Sequence, residues 1–195
     1  MTPAVKNIRA FLAIEPPDDI LRSVLDLQER LKRTVKGKIA WTRTGSQHIT
    51  LKFFGDVSTE DIDSIGRSVK SRLQPGWSIN LKVENLGFFP NARKPRVLWC
   101  AAVGDVEKLA ALQKQLDNDF ARLGFASEDR SFRAHLTLAR IREPHGIEGL
   151  DEALAGQARF CAGEFNVREL ILFQSKLTPG GAIYTKLAAF PLEGG

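Results

Sequence analysis

The 195-residue chain has few of the residues that hold metals or form disulfides. It contains two cysteines and three histidines, and Cys100 and Cys161 stand alone, without C-x-x-C spacing. Isolated cysteines exclude a cysteine-rich zinc module and a disulfide-dense secreted scaffold. We expect both to be buried, reduced thiols.

Long apolar runs are also missing. No stretch approaches the roughly 20 apolar residues that cross a bilayer. The first residues do not join a basic segment to a long apolar one, so we expect no signal peptide, no membrane association and a cytoplasmic location. The sequence has no G-x-x-x-x-G-K-[ST] phosphate loop and no His-Glu-x-x-His pair, the spacing of a common zinc site.

Basic residues are in moderate excess, 28 against 23 acidic ones, for a formal net charge of +5. This balance suits polyanionic partners without selecting one. The length and the 43% of hydrophobic residues are typical of one globular domain with a sizeable core.

Apolar periodicity and turn residues divide the chain into strands and helices. Turns at Gly55-Asp56 and at residues 179–181, and other short connections, favour antiparallel pairing. The order of elements is similar in the two halves, which indicates two α+β lobes. Strands are predicted at residues 8–14, 39–42, 49–54, 79–83, 97–103, 132–139, 170–175 and 183–189, and helices at 20–35, 58–73, 109–123 and 150–154.

A short motif occurs twice. Residues 48–51 read His-Ile-Thr-Leu, and residues 135–138, which begin 87 positions later (135 − 48), read His-Leu-Thr-Leu. In a β-strand, residues i and i+2 point to one face. Each motif therefore places an imidazole beside a hydroxyl, while its apolar residues face a core.

Two such strands brought together provide the groups that phosphodiester cleavage needs. A neutral histidine can take a proton from the nucleophile, and a protonated one can give a proton to the leaving oxygen. The two must act on opposite sides of phosphorus, because attack and departure are roughly in line. Threonine hydroxyls can donate to phosphate oxygens.

Other residues near the motifs are open to two interpretations. In a regular strand, Lys52 would lie on the same face as His48. It is expected to be either a solvent-exposed charge at the rim of the site or a residue that contacts the ligand. Arg140 has the wrong parity relative to His135, and can reach the same face only if the strand ends or bulges. His145 is expected at the surface. The aromatic residues near the first motif and in the strands are mostly expected in the core, namely Trp41, Phe53, Phe54, Phe88 and Phe89. Trp41 or one of these phenylalanines at a lobe edge could stack a base.

With these motifs the chain resembles the two-histidine (2H) phosphoesterase superfamily. Within it, the sequence is similar to the RNA 2′,3′-cyclic phosphodiesterases, which are also called 2′-5′ RNA ligases. One departure is Ala134, where that family usually has proline. The resemblance rests on residues 9–14, 48–55, 87–90, 95–99, 132–140 and 172–177, with Trp41, Gly181 and Tyr184.

The resemblance implies an α+β class and a bilobal, pseudo-symmetric fold. Two mostly antiparallel sheets would surround a central cleft, with helices on the outside. Residues 1–195 would form a single domain of two intertwined lobes, with one motif in each lobe.

The resemblance also implies an activity, the opening of a 2′,3′-cyclic phosphate to a 2′-phosphate without a metal or another cofactor. His48 and His135 would be the acid–base pair, Thr50 and Thr137 would bind the phosphate, and Arg140 would be an auxiliary cation. The partners would be RNA ends or nucleotides, and the protein would be a monomer.

Two points stay open at the level of the sequence. The family usually assigns proton donation to the first histidine, but two near-symmetric motifs do not decide that order. The alternatives to hydrolysis are reversible 2′-5′ joining of RNA ends and a module that binds an RNA end without turnover.

Overall fold

Nine strands and four α-helices make up the part of the chain described by a computed structural model, residues 7–73, 76–178 and 181–192. A single turn of 3-10 helix lies at Pro144–Gly146. The strands are β1 (Ile8–Ile14), β2 (Ile39–Trp41), β3 (Ile49–Val57), β4 (Asn80–Phe89), β5 (Val97–Gly104), β6 (His135–Ile141), β7 (Cys161–Asn166), β8 (Glu169–Thr178) and β9 (Gly181–Pro191). The helices are α1 (Asp18–Thr34), α2 (Thr59–Arg72), α3 (Val106–Arg122) and α4 (Leu150–Gly156).

The strands form two sheets. The first has the order β3-β1-β8-β9, the second has the order β2-β6-β5-β4-β7, and the strand pairs in both are antiparallel. The predicted α+β class with two antiparallel sheets is therefore confirmed. Each sheet holds one motif strand, β3 or β6, and the chain passes between the sheets more than once. That residues 1–195 form one domain of two intertwined lobes stays a prediction.

The two longest helices each pack against elements from the other half of the chain. α1 leaves the first sheet after β1 and packs on β7 and α4, while α3 leaves the second sheet after β5 and packs on β3 and α2. Each helix buries one apolar stripe, which the sequence predicted from its spacing. The first motif strand, β3, is thus supported by a helix from the other half of the chain.

α2 begins with a capping box. The Ser58 hydroxyl accepts from the backbone N–H of Asp61, and the Asp61 carboxylate accepts from the backbone N–H of Ser58. Two N–H groups that the helix leaves unpaired are satisfied in this way.

The core has two parts. The main cluster lies between the sheets and the helices and contains the apolar motif residues Ile49, Leu51, Leu136 and Leu138. A smaller cluster lies on the opposite face of the first sheet. It consists of Phe11, Ala13, Ile171 and Phe173, with Tyr184 packed against it.

Several boundaries differ from the sequence prediction. β3 continues through the predicted Gly55-Asp56 turn to Val57, because bulges in the strand and a positive φ of 76° at Gly55 absorb the irregularity. β7 was missed, since its sequence contains glycine and glutamate and its pairing with β4 comes from the tertiary structure. The predicted turn at residues 179–181 falls mostly outside the described residues.

The two cysteines differ in their surroundings. Cys100 is buried, as predicted, but Cys161 is exposed at the start of β7, so the expectation that both are buried was wrong. In the described ranges, no helix is long and apolar enough to span a membrane.

Candidate active site

The two motif histidines are held in the same way. His48 directly precedes β3, and His135 is the first residue of β6. The Nδ1 of His48 lies 2.9 Å from the carbonyl oxygen of Ser46, and the Nδ1 of His135 lies 2.7 Å from that of Arg133. Because a carbonyl only accepts, each Nδ1 is the protonated nitrogen that donates. In both rings Nε2 is left for proton transfer.

The pKa values of both histidines are lowered. Burial is the main cause at His48, where the pKa falls from 6.5 to about 4, and the charges of His135 and Arg140 lower it further while the hydrogen bond to Ser46 opposes the change. Burial also lowers the pKa of His135, with a further contribution from Arg140. Both imidazoles are therefore mainly neutral at pH 7 in the free protein. Because the positive charge of Arg140 lowers the pKa of both histidines, Arg140 interacts electrostatically with His48 and with His135.

A β-bulge brings Arg140 to the histidine face. Trp99 of β5 is paired with Thr137, and its neighbour Leu98 is paired with Ala139, so Leu138 is an extra residue in β6. The extra residue inverts the alternation of side chains beyond it. Arg140 is exposed between the buried residues Ala139 and Ile141. The bulge thus provides the condition under which the sequence allowed Arg140 to join the site.

The first motif has a bulge at the same place. Ala13 of β1 is paired with Thr50, and Leu12 is paired with Lys52, so Leu51 is the extra residue. Here the inversion turns Lys52 inward, against the parity of a regular strand. Both motifs therefore end in a bulge, but the side chains that follow the two bulges differ.

Lys52 is neither a rim charge nor a ligand contact, so both sequence interpretations were wrong. Its side chain is 3% exposed, and Nζ lies 2.6 Å from Oδ1 of Asp117 in α3. It also donates to the carbonyl oxygen of Ala126, and Asp117 accepts from the backbone N–H of Glu128. This buried pair connects the first motif strand to α3 and to the segment that leads to the second motif.

Aromatic rings surround His48. Its ring centroid lies 4.6 Å from that of Phe11 and 5.2 Å from that of Tyr184. Phe53 lies 5.7 Å from Phe11 and is 58% exposed. Phe53 is therefore a phenylalanine outside the core, and it offers an open aromatic surface next to Phe11. That such a ring stacks a base stays a prediction. Trp41, which was named as a stacking candidate, is half-buried in β2 with Lys32 over its ring at 5.9 Å.

His135 borders a cavity of about 330 Å³. Phe89 lies edge-to-face with His135 at 5.0 Å, and the Arg133 guanidinium lies 5.8 Å from the Phe89 ring. The buried indole Nε1 of Trp99, another lining residue, has no hydrogen-bond partner among the described residues. The cavity therefore offers mostly apolar walls beside a motif histidine.

The site thus joins the predicted residues with others to which the sequence analysis gave no role in the site. Thr50 and Thr137 are half-buried and lie two positions after their histidines, and Arg140 lies beyond the second bulge. Phe11 and Tyr184 come from β1 and β9. Both belong to the residues on which the family resemblance rests, but the sequence did not place either of them beside His48. His145 is exposed, as predicted. Within residues 7–73, 76–178 and 181–192, no group of three or more His, Cys, Asp or Glu could hold a metal ion.

Comparison with known proteins gives consistent matches over nearly the whole chain. Residues 14–99 and 103–184 match the sequence profile of the family described as LigT-like phosphoesterases. The chain is 33% identical over 186 residues to the RNA 2′,3′-cyclic phosphodiesterase of Methanothermobacter thermautotrophicus, covering 95% of this chain and 100% of that protein. It is also 33% identical over 177 residues to the enzyme of that name from Methanocaldococcus jannaschii, covering 91% and 96%.

A solved structure has the same fold. A protein of Thermus thermophilus superimposes with a TM-score of 0.79 over 96% of this chain and 99% of its own, at 23% sequence identity. This likeness concerns the architecture of the two sheets and the helices around them.

Proposed function

The chain belongs to the LigT-like phosphoesterase family, and we propose that it is an RNA 2′,3′-cyclic phosphodiesterase that opens the cyclic phosphate to a 2′-phosphate. The observation that supports this most directly is the matched pair of imidazoles. Each is fixed through Nδ1 to a backbone carbonyl two residues earlier, so each presents Nε2 for proton transfer.

In the proposed reaction, Nε2 of His135 takes a proton from water while the water oxygen bonds to phosphorus. The bond between phosphorus and the 3′-oxygen breaks, and that oxygen receives a proton from Nε2 of His48. The product has a 2′-phosphate and a free 3′-hydroxyl. Each turnover leaves His135 protonated and His48 neutral, so the two histidines exchange protons with solvent before the next one.

Thr50, Thr137 and Arg140 are proposed to bind the phosphate. The hydroxyls can donate to its oxygens, and the guanidinium offsets the charge that builds up during attack. The bound phosphate would also favour the protonated form of His48, which is the proposed acid. With a pKa of about 4 in the free protein, His48 is seldom protonated at neutral pH, and an adjacent anion favours the imidazolium and raises that pKa.

The charge distribution supports RNA rather than a neutral partner. Five exposed cations lie around the end of β6 and in the connection between β4 and β5, and in the described part of the chain none is within 4.0 Å of a carboxylate. They are Arg93, Lys94, Arg96, Arg140 and Arg142. Unpaired cations of this kind bind phosphate backbones in a salt-dependent manner. We further propose that the protein acts in the cytoplasm and that it is a monomer. Light scattering on the purified protein would test the monomeric state.

The decisive experiment is turnover of a defined substrate in EDTA. Nucleoside 2′,3′-cyclic monophosphates and an oligonucleotide ending in a cyclic phosphate are incubated with the protein, and phosphorus NMR identifies the product. We expect only the 2′-phosphate, and activity that EDTA does not abolish. A joined product in the presence of a 5′-hydroxyl oligonucleotide would show ligation, and tight binding without turnover would show a binding module.

A further inference from the structure

Two glutamines interrupt the buried apolar stripes of α1 and α3. Gln28 in α1 is 1% exposed, and Gln113 in α3 is 7% exposed. Each follows a leucine and lies between buried apolar residues four positions before and three positions after it. A primary amide in such a place lowers stability unless it is hydrogen-bonded. The partners of these two amides are therefore informative.

Both amides reach the bulges of the motif strands. Nε2 of Gln28 donates to the carbonyl oxygen of Leu138 at 2.8 Å and to that of Thr42, also at 2.8 Å. Nε2 of Gln113 donates to the carbonyl oxygen of Leu51 at 3.2 Å. Leu51 and Leu138 are the extra residues of the two bulges. Each glutamine comes from the half of the chain that does not contain the motif it contacts.

At a bulge the ladder of backbone hydrogen bonds is locally disrupted, and a donor from outside the strand pair can help to hold the extra residue in place. Leu138 is fully buried, so water cannot replace a missing donor. Its carbonyl oxygen accepts from two groups, Gln28 and the backbone N–H of Thr42 at 2.8 Å. Gln28 therefore ties the bulge of β6 to α1 and to the segment after β2.

The bulge decides where the next exposed side chain points. Without the extra residue, β6 would alternate regularly, and position 140 would share the face of Leu136 and Leu138, the face that lies in the core. With it, Arg140 joins the face of His135 and Thr137. After the other bulge, the equivalent position is Phe53, and the inverted residue is the buried Lys52. Gln113 thus supports a bulge that aims no cation at the phosphate.

We propose that Gln28 is a positioning residue for the reaction, because its hydrogen bond to the carbonyl of Leu138 holds the bulge that turns Arg140 into the cleft. The catalytic part of this inference rests on the proposed function, but the placement of Arg140 does not. Gln113 is the matched control: a second buried glutamine that contacts an equivalent bulge without aiming Arg140.

A double-mutant cycle separates this role from a merely structural one. Gln28→Met keeps the size of the side chain and removes the donor. We expect it to lower kcat/KM for a 2′,3′-cyclic nucleotide about 10-fold in the native background and less than about 3-fold in an Arg140→Ala background, because residues that act as a unit are not additive. Gln113→Met should lower kcat/KM by the same factor in both backgrounds. Equal, multiplicative effects for the two glutamines would overturn the proposal, as would no effect of Gln28→Met.

A second measurement does not need activity. Arg140 lowers the pKa of His135, so an NMR titration of the His135 ring reports whether the guanidinium is in place. Gln28→Met should raise this pKa toward its value in Arg140→Ala, and Gln113→Met should leave it at the native value. This arm decides the inference even if the protein does not hydrolyse a cyclic phosphate. If Gln28→Met does not fold, Gln28→Asn withdraws the amide by one methylene and takes its place in both measurements, with the same expected outcomes.

Discussion

Burial of His48 makes the stability of the protein depend on pH in a way that can be calculated. The imidazole has a pKa of 6.5 when free and about 4 in the folded protein. Since the folded-state pKa is depressed, the unfolded chain binds the proton first as the pH falls. The contribution of His48 is therefore fully present above pH 6.5, and it is lost progressively down to pH 4.

The size of this effect follows from the two values. At pH 5 the unfolded chain holds the proton almost completely, and the folded protein holds it in about one molecule in ten. Linkage then gives a loss of about 2 kcal/mol in the free energy of unfolding between pH 7 and pH 5 from His48 alone.

The test is urea unfolding of the native protein and of His48→Gln at the two pH values. Glutamine is of similar size and does not titrate, so the variant should lose about 2 kcal/mol less than the native protein on acidification. His145→Gln, at an exposed site outside the cleft, should keep the native loss. If His48→Gln also keeps the native loss, His48 is not held neutral by burial, and the account of its environment is wrong.

Four further outcomes are expected. His48→Ala and His135→Ala should each lower kcat for a 2′,3′-cyclic nucleotide by at least ~10²-fold. Because the pair acts as a unit, the double variant should lower kcat by far less than the product of the two single effects. Near-normal turnover in either single variant would make that histidine structural. Thr50→Val and Thr137→Val should weaken turnover at an almost unchanged melting temperature, and a large fall in melting temperature would instead assign the hydroxyls to the fold. The pH dependence of kcat should be bell-shaped. A 3′-thio substrate has a leaving group that needs little help from an acid, so it should selectively restore the turnover of His48→Ala. Selective restoration of the turnover of His135→Ala would reverse the proposed roles.

The local features of the chain were readable from its sequence. The apolar stripes of α1 and α3, the capping box of α2 and the span of β1 depend on neighbours within one or two turns or on simple alternation. The repeated motif was readable for the same reason, since two identical spacings in a chain with three histidines stand out. These features also sufficed to predict two antiparallel lobes with one motif each.

The sequence was less informative where the pairing of strands changes the local pattern. Regular alternation placed Lys52 beside His48 and placed Arg140 away from His135, and the two bulges reverse both placements. A bulge is defined by the register of the neighbouring strand and by donors such as Gln28 and Gln113, which are far away in sequence. No window of residues around the motif contains that information.

The sequence alone therefore determined which groups the protein has for acid–base chemistry and roughly which elements hold them. The tertiary structure decided how those groups are tuned and aimed. Burial lowers the pKa of both histidines, backbone carbonyls two residues upstream fix their tautomers, and helices from the opposite half of the chain hold the bulges. The physical reason is range: propensity and alternation act over a few residues, whereas desolvation and strand register depend on atoms that only the folded chain brings together.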